Sequence, residues 1–563
     1  MGEKKKMVVI GIDGATFDVI DPMVERGELP NLATLMKEGC RGELESTFPP
    51  ITHTAWSTFS TGKNPGKHGV FDFIDPPYRN SEDMPFVFTN FNAVKTITFW
   101  QILHNTDLKI GIVNLPMAYP PSPLNGFLIG GIDTPNENVA FTYPEDLISQ
   151  LRERGIHYRP DYVEFLRFKK GGAKYRELEE IRRDYFEIEE QRRKAIQWLM
   201  ENKEWDLLVV VLSLPDRVQH HFWQFHDSHD PRETNPFRDV IEESYRKVDQ
   251  IIGDMLKRID GRVPIMLMSD HGFGKFKKLF FVNHWLWKNG FLHLRRVHLL
   301  NFWRYFRFIK IKKPAAAILN FIGLRFLTTV LPSSITEKRL TFFVPYPRVS
   351  PDRVDWRKTQ AYGGAYGIYV NLSDRTPNGS VNAGADYDET RNRIIEKLKA
   401  AVDPETGQGF IEKIVKKEEA FAGPFLNNAP DILIKTKNFD YLPSTNYYFR
   451  KGFRKKRFGN HKMEGILILH GPPFKKDHRL QGLHIQDCMP TIFYLLGVPI
   501  PSDFDGRILE EGFLEEYLQA HRPEFRDPMP FDAEAKSKGA LSTYTPEQSE
   551  MIHERLKSLG YID

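Results

Sequence analysis

The sequence has only two cysteines, Cys40 and Cys488, in 563 residues. Two cysteines can build neither a disulfide framework nor a thiolate metal cluster, so a reducing compartment, and with it a cytoplasmic location, is the simpler expectation. Charge of one sign is also missing. Lys plus Arg number 78 and Asp plus Glu 74, a net of +4. So small a surplus in so long a chain argues against nucleic acid as the default partner. Long hydrophobic runs are scarce too. The apolar run after Lys4, Lys5 and Lys6 stops at Asp13, too short for the core of a signal peptide, and Lys6 occupies the position where a myristoylation motif needs Ser or Thr. The longest apolar segment, 315–331, contains Asn320 and Arg325 and falls short of a membrane span, so no transmembrane helix is expected. Internal repeats and low-complexity tracts are absent, which argues against a solenoid or a biased disordered chain.

What is present is a series of short β-branched runs, each ending in a polar or glycine cluster: MVVIGIDG near the start, LLVVVLSLPD at 207–216, VPIMLMSDHG at 263–272, DILIKT at 431–436 and GILILHGP at 465–472. Continuous apolar runs of this length suit strands buried on both faces. Between them lie helical stripes, Leu178, Ile181, Tyr185, Ile188, Ala195 and Leu199 in one, Ile241, Tyr245, Val248, Ile252, Met255 and Ile259 in another. This alternation predicts an α/β fold: a mostly parallel central sheet with helices on both faces. The expected organisation is a catalytic core from 1–290 and 345–510, a mainly helical insertion at 137–205, a basic and aromatic cap insertion at 293–345, and a tail at 511–563 ending in a short amphipathic helix.

In such sheets ligands collect at the carboxyl ends of strands, and this sequence places Asp and His there. Asp13 closes the first run, and Gly14 lets the backbone turn beside it; an ordinary Asp-Gly turn is the plainer alternative. In LPDRVQHH, Asp216 and His220 stand four apart, so one helical turn puts both on one face at good metal-ligand spacing; alternatively Asp216 only caps the helix. In SDHG, Asp270 and His271 are adjacent, and both can reach one ion only where the backbone leaves the strand at Gly272. His461, just before GILILHGP, is weak evidence alone and compatible with a surface role. Together these are three carboxylates and three imidazoles near strand ends. Mixed N/O ligation without sulfur fits two divalent ions, zinc best, with manganese as the alternative.

The segment FPPITHTAWSTFSTGKNPGKHG, 48–69, is rich in hydroxyls. A metal-activated hydroxyl belongs at a helix start, where free N–H groups favour phosphate. Ala55–Ser60 reads as such a helix, stopped by Gly62, and Thr52 just before it is the candidate nucleophile. An ordinary threonine N-cap is the alternative.

The strings GIDGATFDVID, LPNLATLMKEG, STFPPITHTAWSTFSTGKNPGKHGVFDF, PDRVQHHFW, SDHGF and GNHKMEGILILHGP resemble the alkaline phosphatase superfamily. Within it they are most similar to the type I phosphodiesterase/nucleotide pyrophosphatase branch and its prokaryotic phosphohydrolase and phosphomutase relatives. The resemblance implies a two-metal site, with Asp216, His220 and His461 on one ion and Asp13, Asp270, His271 and the Thr52 oxygen on the other. It implies attack by Thr52 on phosphorus, a covalent threonine intermediate and hydrolysis by water, with a small phosphoester as substrate. Nucleotide pyrophosphatases typically carry Asn three residues after the nucleophile; this chain has Ala55, so oxygen contacts must come from elsewhere, backbone N–H groups included. Thr52-His53-Thr54-Ala55-Trp56 cannot form the formylglycine of sulfatases. His53, beside Thr52, could reach phosphate, with packing or a solvent role as the plainer account, and neither His68 nor His484 is assigned to a metal.

Two rival readings remain at this level. One is phosphoryl transfer without net hydrolysis, as in the metal-dependent phosphomutases of the superfamily. The other is a membrane-surface binding module, because 293–331 sets Arg295, Arg296, Arg304, Arg307, Lys310, Lys312 and Lys313 among aromatics. A cap over the core is the plainer account of that segment.

Overall fold

A computed structural model describes residues 5–74, 87–161, 175–226, 235–295, 353–445 apart from 365 and 377, 452–531 and 544–559. Its main sheet contains β1 (Met7–Ile12), β2 (Gly39–Glu45), β3 (Ile110–Leu115), β4 (Gly126–Gly130), β5 (Thr142–Tyr143), β6 (Leu207–Leu212), β7 (Ile265–Met268) and β15 (Glu464–His470). The order is β2-β15-β7-β1-β6-β3-β4-β5, with His478–Arg479 beside β2. From β7 to β4 neighbouring strands are parallel. β15 runs antiparallel to both β7 and β2, and β5 antiparallel to β4.

Every residue of β1, β3 and β6 is buried, as their unbroken apolar runs require. Alternate residues serve opposite faces. Val8, Ile10, Leu208 and Val210 join one hydrophobic cluster, which also takes the stripes of the helices Tyr175–Asn202 and Val240–Leu256. Met7, Val9, Leu207 and Val209 join another, beneath the helices Thr52–Thr61 and Cys488–Leu496. Helices therefore cover both faces. Each fully buried aliphatic side chain contributes roughly 1.5–3 kcal/mol to holding these layers together.

A second block hangs from β7. β8 (Gly272–Phe281) lies between β13 (Tyr441–Ser444) and β14 (Phe453–Lys462), and a separate four-stranded sheet joins β9 (Ala361–Gly364), β10 (Gly367–Val370), β11 (Ile411–Lys416) and β12 (Ile432–Thr436). DILIKT is β12, in this smaller antiparallel sheet and not in the main one. GILILHGP is the main-sheet strand β15 but antiparallel. An apolar run reports burial on both faces and carries no direction, which is why neither placement was readable from it.

Segment 137–205 supplies the edge strand β5 and the long helix Tyr175–Asn202. The basic and aromatic segment lies almost wholly in 296–352, outside the described residues, as does the apolar stretch 315–331. Among the described residues no helix is long and apolar enough to cross a membrane. The chain's last helix, Pro546–Leu559, sets Ile552, Leu556 and Leu559 into the first cluster.

Candidate metal centre

The candidate residues meet at the carboxyl edge of the parallel strands. Asp13 follows β1, and Gly14 turns the chain there with φ 66°. Asp216 lies in the first turn of the helix Leu214–His226 that follows β6, and His220 comes one turn later on the same face. Asp270 and His271 fall between β7 and β8, outside both strands, so the backbone has left the strand as their shared site requires. Gly272 is needed there for a different reason from the expected one. Its backbone is not left-handed; a Cβ would stand 2.0 Å from the Glu464 carbonyl oxygen, so only glycine allows β15 to pass. His461 sits near the end of β14 opposite Phe273, just before β15 as the sequence indicated.

Thr52 is the first residue of a helix that runs to Thr61, three residues longer at its start than the sequence implied, and ends at left-handed Gly62. Ile51 occupies the N-cap position and makes no side-chain cap, so Thr52 is not a capping threonine.

All seven residues are buried, from 0% exposed at Asp13, Thr52, Asp216, Asp270 and His271 to 7% at His220. Asp216 Oδ1 lies 3.3 Å from both His220 Nε2 and His461 Nε2, and those nitrogens are 3.0 Å apart. His271 Nε2 lies 3.2 Å from Asp270 Oδ2, 3.6 Å from Asp13 Oδ1 and 3.3 Å from Thr52 Oγ1. The His271 and His461 rings stack at 3.5 Å and join the two groups. Asp216, His271 and His461 offer ligand atoms within 4.8 Å of one another, and so do Asp13, Asp270 and His271.

These side chains fit divalent ions. Ligands 2.0–2.1 Å from a tetrahedral ion stand about 3.3 Å apart, which is the spacing found in both groups. His271 Nδ1 donates to the Gly272 carbonyl at 3.0 Å and His461 Nδ1 to the Pro50 carbonyl at 2.8 Å. A carbonyl only accepts, so the proton is on Nδ1 and each Nε2 presents a bare lone pair inward, as metal-binding histidines do. Both oxygens of Asp13 and Oδ2 of Asp270 are buried without a hydrogen-bond donor, a costly state that a cation relieves.

The electrostatics agree. Burial, then the charges of Asp270 and Asp216, push Asp13 well above the usual carboxylate range. Burial and the Asp216 charge raise Asp270 to about 8. Burial pushes Asp216 up as well, but His220, His461 and Arg217 outweigh it and hold this carboxyl well below its ordinary value. Burial lowers His220 to about 4, and burial with His461 lowers His271 well below the usual imidazole value, so both are neutral near pH 7. Carboxylates that repel one another in a dry site are a standing demand for positive charge.

The other histidines stand apart. His53 is buried, with Nδ1 2.9 Å from Thr89 Oγ1 and its ring against Phe73. His68 bonds Thr58 Oγ1 at 2.9 Å and accepts from the Val70 N–H. His484 is half exposed beside Glu45.

Sequence reasoning missed a buried ionic chain behind the centre. Arg217 places Nη1 2.5 Å from Asp216 Oδ2 and Nη2 3.8 Å from Asp13 Oδ2 and 3.4 Å from Asp161 Oδ2. Asp161 pairs with Arg192 of the long helix, which also pairs with Glu189. A signal was available. Arg192 fills the vacant place in the stripe Tyr185, Ile188, Ala195, Leu199, and an arginine on the core side of a helix needs a buried partner.

The chain matches the family described as type I phosphodiesterase / nucleotide pyrophosphatase over residues 7–461. A comparison with curated proteins found no match. Similar solved structures include human ectonucleotide pyrophosphatase / phosphodiesterase 5, at 13% identity and TM-score 0.45, covering 88% of this chain and 95% of that one. Phosphonoacetate hydrolase from Sinorhizobium meliloti 1021 with phosphonoformate is 13% identical with TM-score 0.49, covering 88% and 96%. Wild-type alkaline phosphatase PafA is 15% identical with TM-score 0.48, covering 91% and 100%. With the family match running from β1 to His461, the chain belongs to the type I phosphodiesterase/nucleotide pyrophosphatase family of the alkaline phosphatase superfamily, and is a phosphoester hydrolase of that metal-dependent class.

Proposed function

We propose that this hydrolase is a phosphodiesterase that works through a covalent phospho-threonine intermediate on Thr52 at a two-metal site. The observation that supports it is the convergence of Asp13, Asp216, His220, Asp270, His271 and His461 around one buried hydroxyl, with Thr52 Oγ1 3.3 Å from His271 Nε2. Asp216, His220 and His461 would hold one ion, and Asp13, Asp270, His271 and Thr52 Oγ1 the other. Zinc suits this donor set best, with manganese as the alternative.

Two bound ions would lower the pKa of the Thr52 hydroxyl and offset charge on the phosphoester and the leaving oxygen. The chain's own contribution is position. Thr52 opens its helix, and the ladder behind it begins with the Ala55 N–H on the Ile51 carbonyl at 2.8 Å. The N–H groups ahead of that bond point out of the helix end, where an anion is favoured. They are the donors for the phosphoryl oxygen that Ala55, lacking a side-chain amide, cannot contact. Thr52 Oγ forms its bond to phosphorus as the bond to the leaving alcohol breaks, and the hydroxyl proton passes to solvent. Water then cleaves the Oγ–P bond, yielding the second product and restoring the hydroxyl.

The test pairs metal content with turnover of bis-p-nitrophenyl phosphate and p-nitrophenyl phosphate, wild type beside Thr52→Ala. Two ions per chain are expected, with the diester cleaved faster than the monoester. The variant should keep its ions and lose on the order of 10³-fold or more in kcat. A wild type that binds metal and cleaves neither ester would favour the phosphomutase. A wild type without metal would overturn the site.

A further inference from the structure

Arg217 is nearly as buried as the residues it touches, at 2% exposed. Its Nη1 meets Asp216 Oδ2, while Asp216 Oδ1 faces the two imidazoles, so one oxygen of the carboxylate is held from behind and the other is turned to the histidines. Its Nη2 reaches toward Asp13, which belongs to the other ligand group. One guanidinium thus spans a carboxylate from each candidate ion position. It does not float: Asp161 takes Nη2 on the far side, Arg192 holds Asp161, and Arg192 Nη1 also reaches Ser213 Oγ at 3.1 Å, in the turn between β6 and the Asp216 helix. Arg192, Asp161 and Glu189 are all buried, at 1%, 8% and 1% exposed.

Ionic chains of this kind are expensive to bury and add little stability by themselves. Its contacts give this one a purpose. Among the described contacts four buried carboxylates, Asp13, Asp216, Asp161 and Glu189, meet the two guanidiniums of Arg192 and Arg217, and Asp216 turns its other oxygen to His220 and His461. Only a planar fork can touch two carboxylates and a third anchor at fixed angles; an ammonium could not.

We propose that Arg217, anchored through Asp161 to Arg192, is a positioning residue that fixes the orientation of Asp216, places its charge beside Asp13, and so sets the metal affinity of the centre, most strongly for the ion on Asp216. This rests on the metal-centre reading above. Arg217 touches ligands, not substrate, so its removal acts through the ions.

The experiment is a chelator-competition titration with Zn²⁺ on wild type, Arg217→Gln, Arg217→Lys and Asp161→Asn, with folding checked by circular dichroism. In Arg217→Gln one ion should weaken 10–100-fold, the usual cost of losing a ligand's supporting partner, while the other changes less. Arg217→Lys, keeping charge without the fork, should fall between, and Asp161→Asn should lose several-fold. Turnover should return when Zn²⁺ is raised above the new Kd, with KM for the diester unchanged. Folded variants with wild-type Zn²⁺ affinity, even at lowered melting temperature, would overturn the inference and leave a structural role. If Arg217→Gln does not fold, Arg217→Lys and Asp161→Asn decide by the same criterion. A wild type that binds no Zn²⁺ sinks the metal-centre reading and this inference together, whereas two tight ions in every variant sink this inference alone.

Discussion

At Gly14 a single hydrogen in place of a side chain serves two purposes. With φ 66° the residue sits where an L side chain costs roughly 1–2 kcal/mol, and a Cβ would stand 3.1 Å from Asp216 Cβ and Oδ1. Gly27 separates the two effects, because it has φ 75° and nothing within 4 Å of a built Cβ. Gly14→Ala and Gly27→Ala should each lose about 1 kcal/mol in urea unfolding, and only Gly14→Ala should also weaken Zn²⁺ binding by displacing Asp216. Equal Zn²⁺ affinities in the two variants would show that Asp216 has room to shift. The residues that converge were readable because Asp13, Asp216 and Asp270 each follow an apolar run that stops abruptly, and His220 and His271 keep fixed spacings to them. Arg217 was not readable, although it stands beside Asp216 in the same string. Its function depends on Asp161 and Arg192, which the fold brings from 25 to 56 positions away in the chain, and local pattern carries no information about such partners.

Among the elements, the helix Pro546–Leu559 shows how a tail is tied into a core. Arg555 is buried, and its guanidinium donates to the Thr134 and Pro135 carbonyls at 2.7 Å and to the Ile132 carbonyl in the loop after β4. Tyr544, just ahead of the helix, bonds the Asp133 carbonyl and stacks on Tyr119. Arg555→Ala would strip a shared charged donor from buried acceptors, at a cost on the order of 3 kcal/mol. Amide exchange across 546–559 should speed up well before exchange in β1 does; unchanged exchange there would mean that Ile552, Leu556 and Leu559 hold the helix alone. The helix itself was legible in the sequence from its amphipathic spacing. The start of the Thr52 helix was less so, because Thr52, His53 and Thr54 lack apolar periodicity although all three are buried. Strand direction and sheet membership were beyond the apolar pattern, as β12 and β15 show.

For the whole molecule, the centre joins parts that would otherwise meet only through packing. Its candidate ligands come from the ends of β1, β6 and β7, from the Thr52 helix and from β14, which belongs to the smaller three-stranded sheet. An ion bound across them links the main sheet to that second block, and it binds the folded chain far better than the unfolded one, where these residues are scattered. Linkage then gives about 4.1 kcal/mol per ion at a free concentration a thousandfold above Kd. Metal-free protein should accordingly melt several degrees below the Zn²⁺-loaded form and recover on readdition. Thr52→Ala keeps the candidate nitrogen and carboxylate ligands and should retain most of the difference, whereas the double variant Asp13→Asn, Asp270→Asn should lose a large part of it. The double variant also removes mutual repulsion among buried carboxylates, so without metal it should melt at or above the wild-type apoprotein. That inversion separates a site built for cations from one built for stability: a double variant that melts far below the apoprotein would mean the carboxylates hold the fold together without any ion.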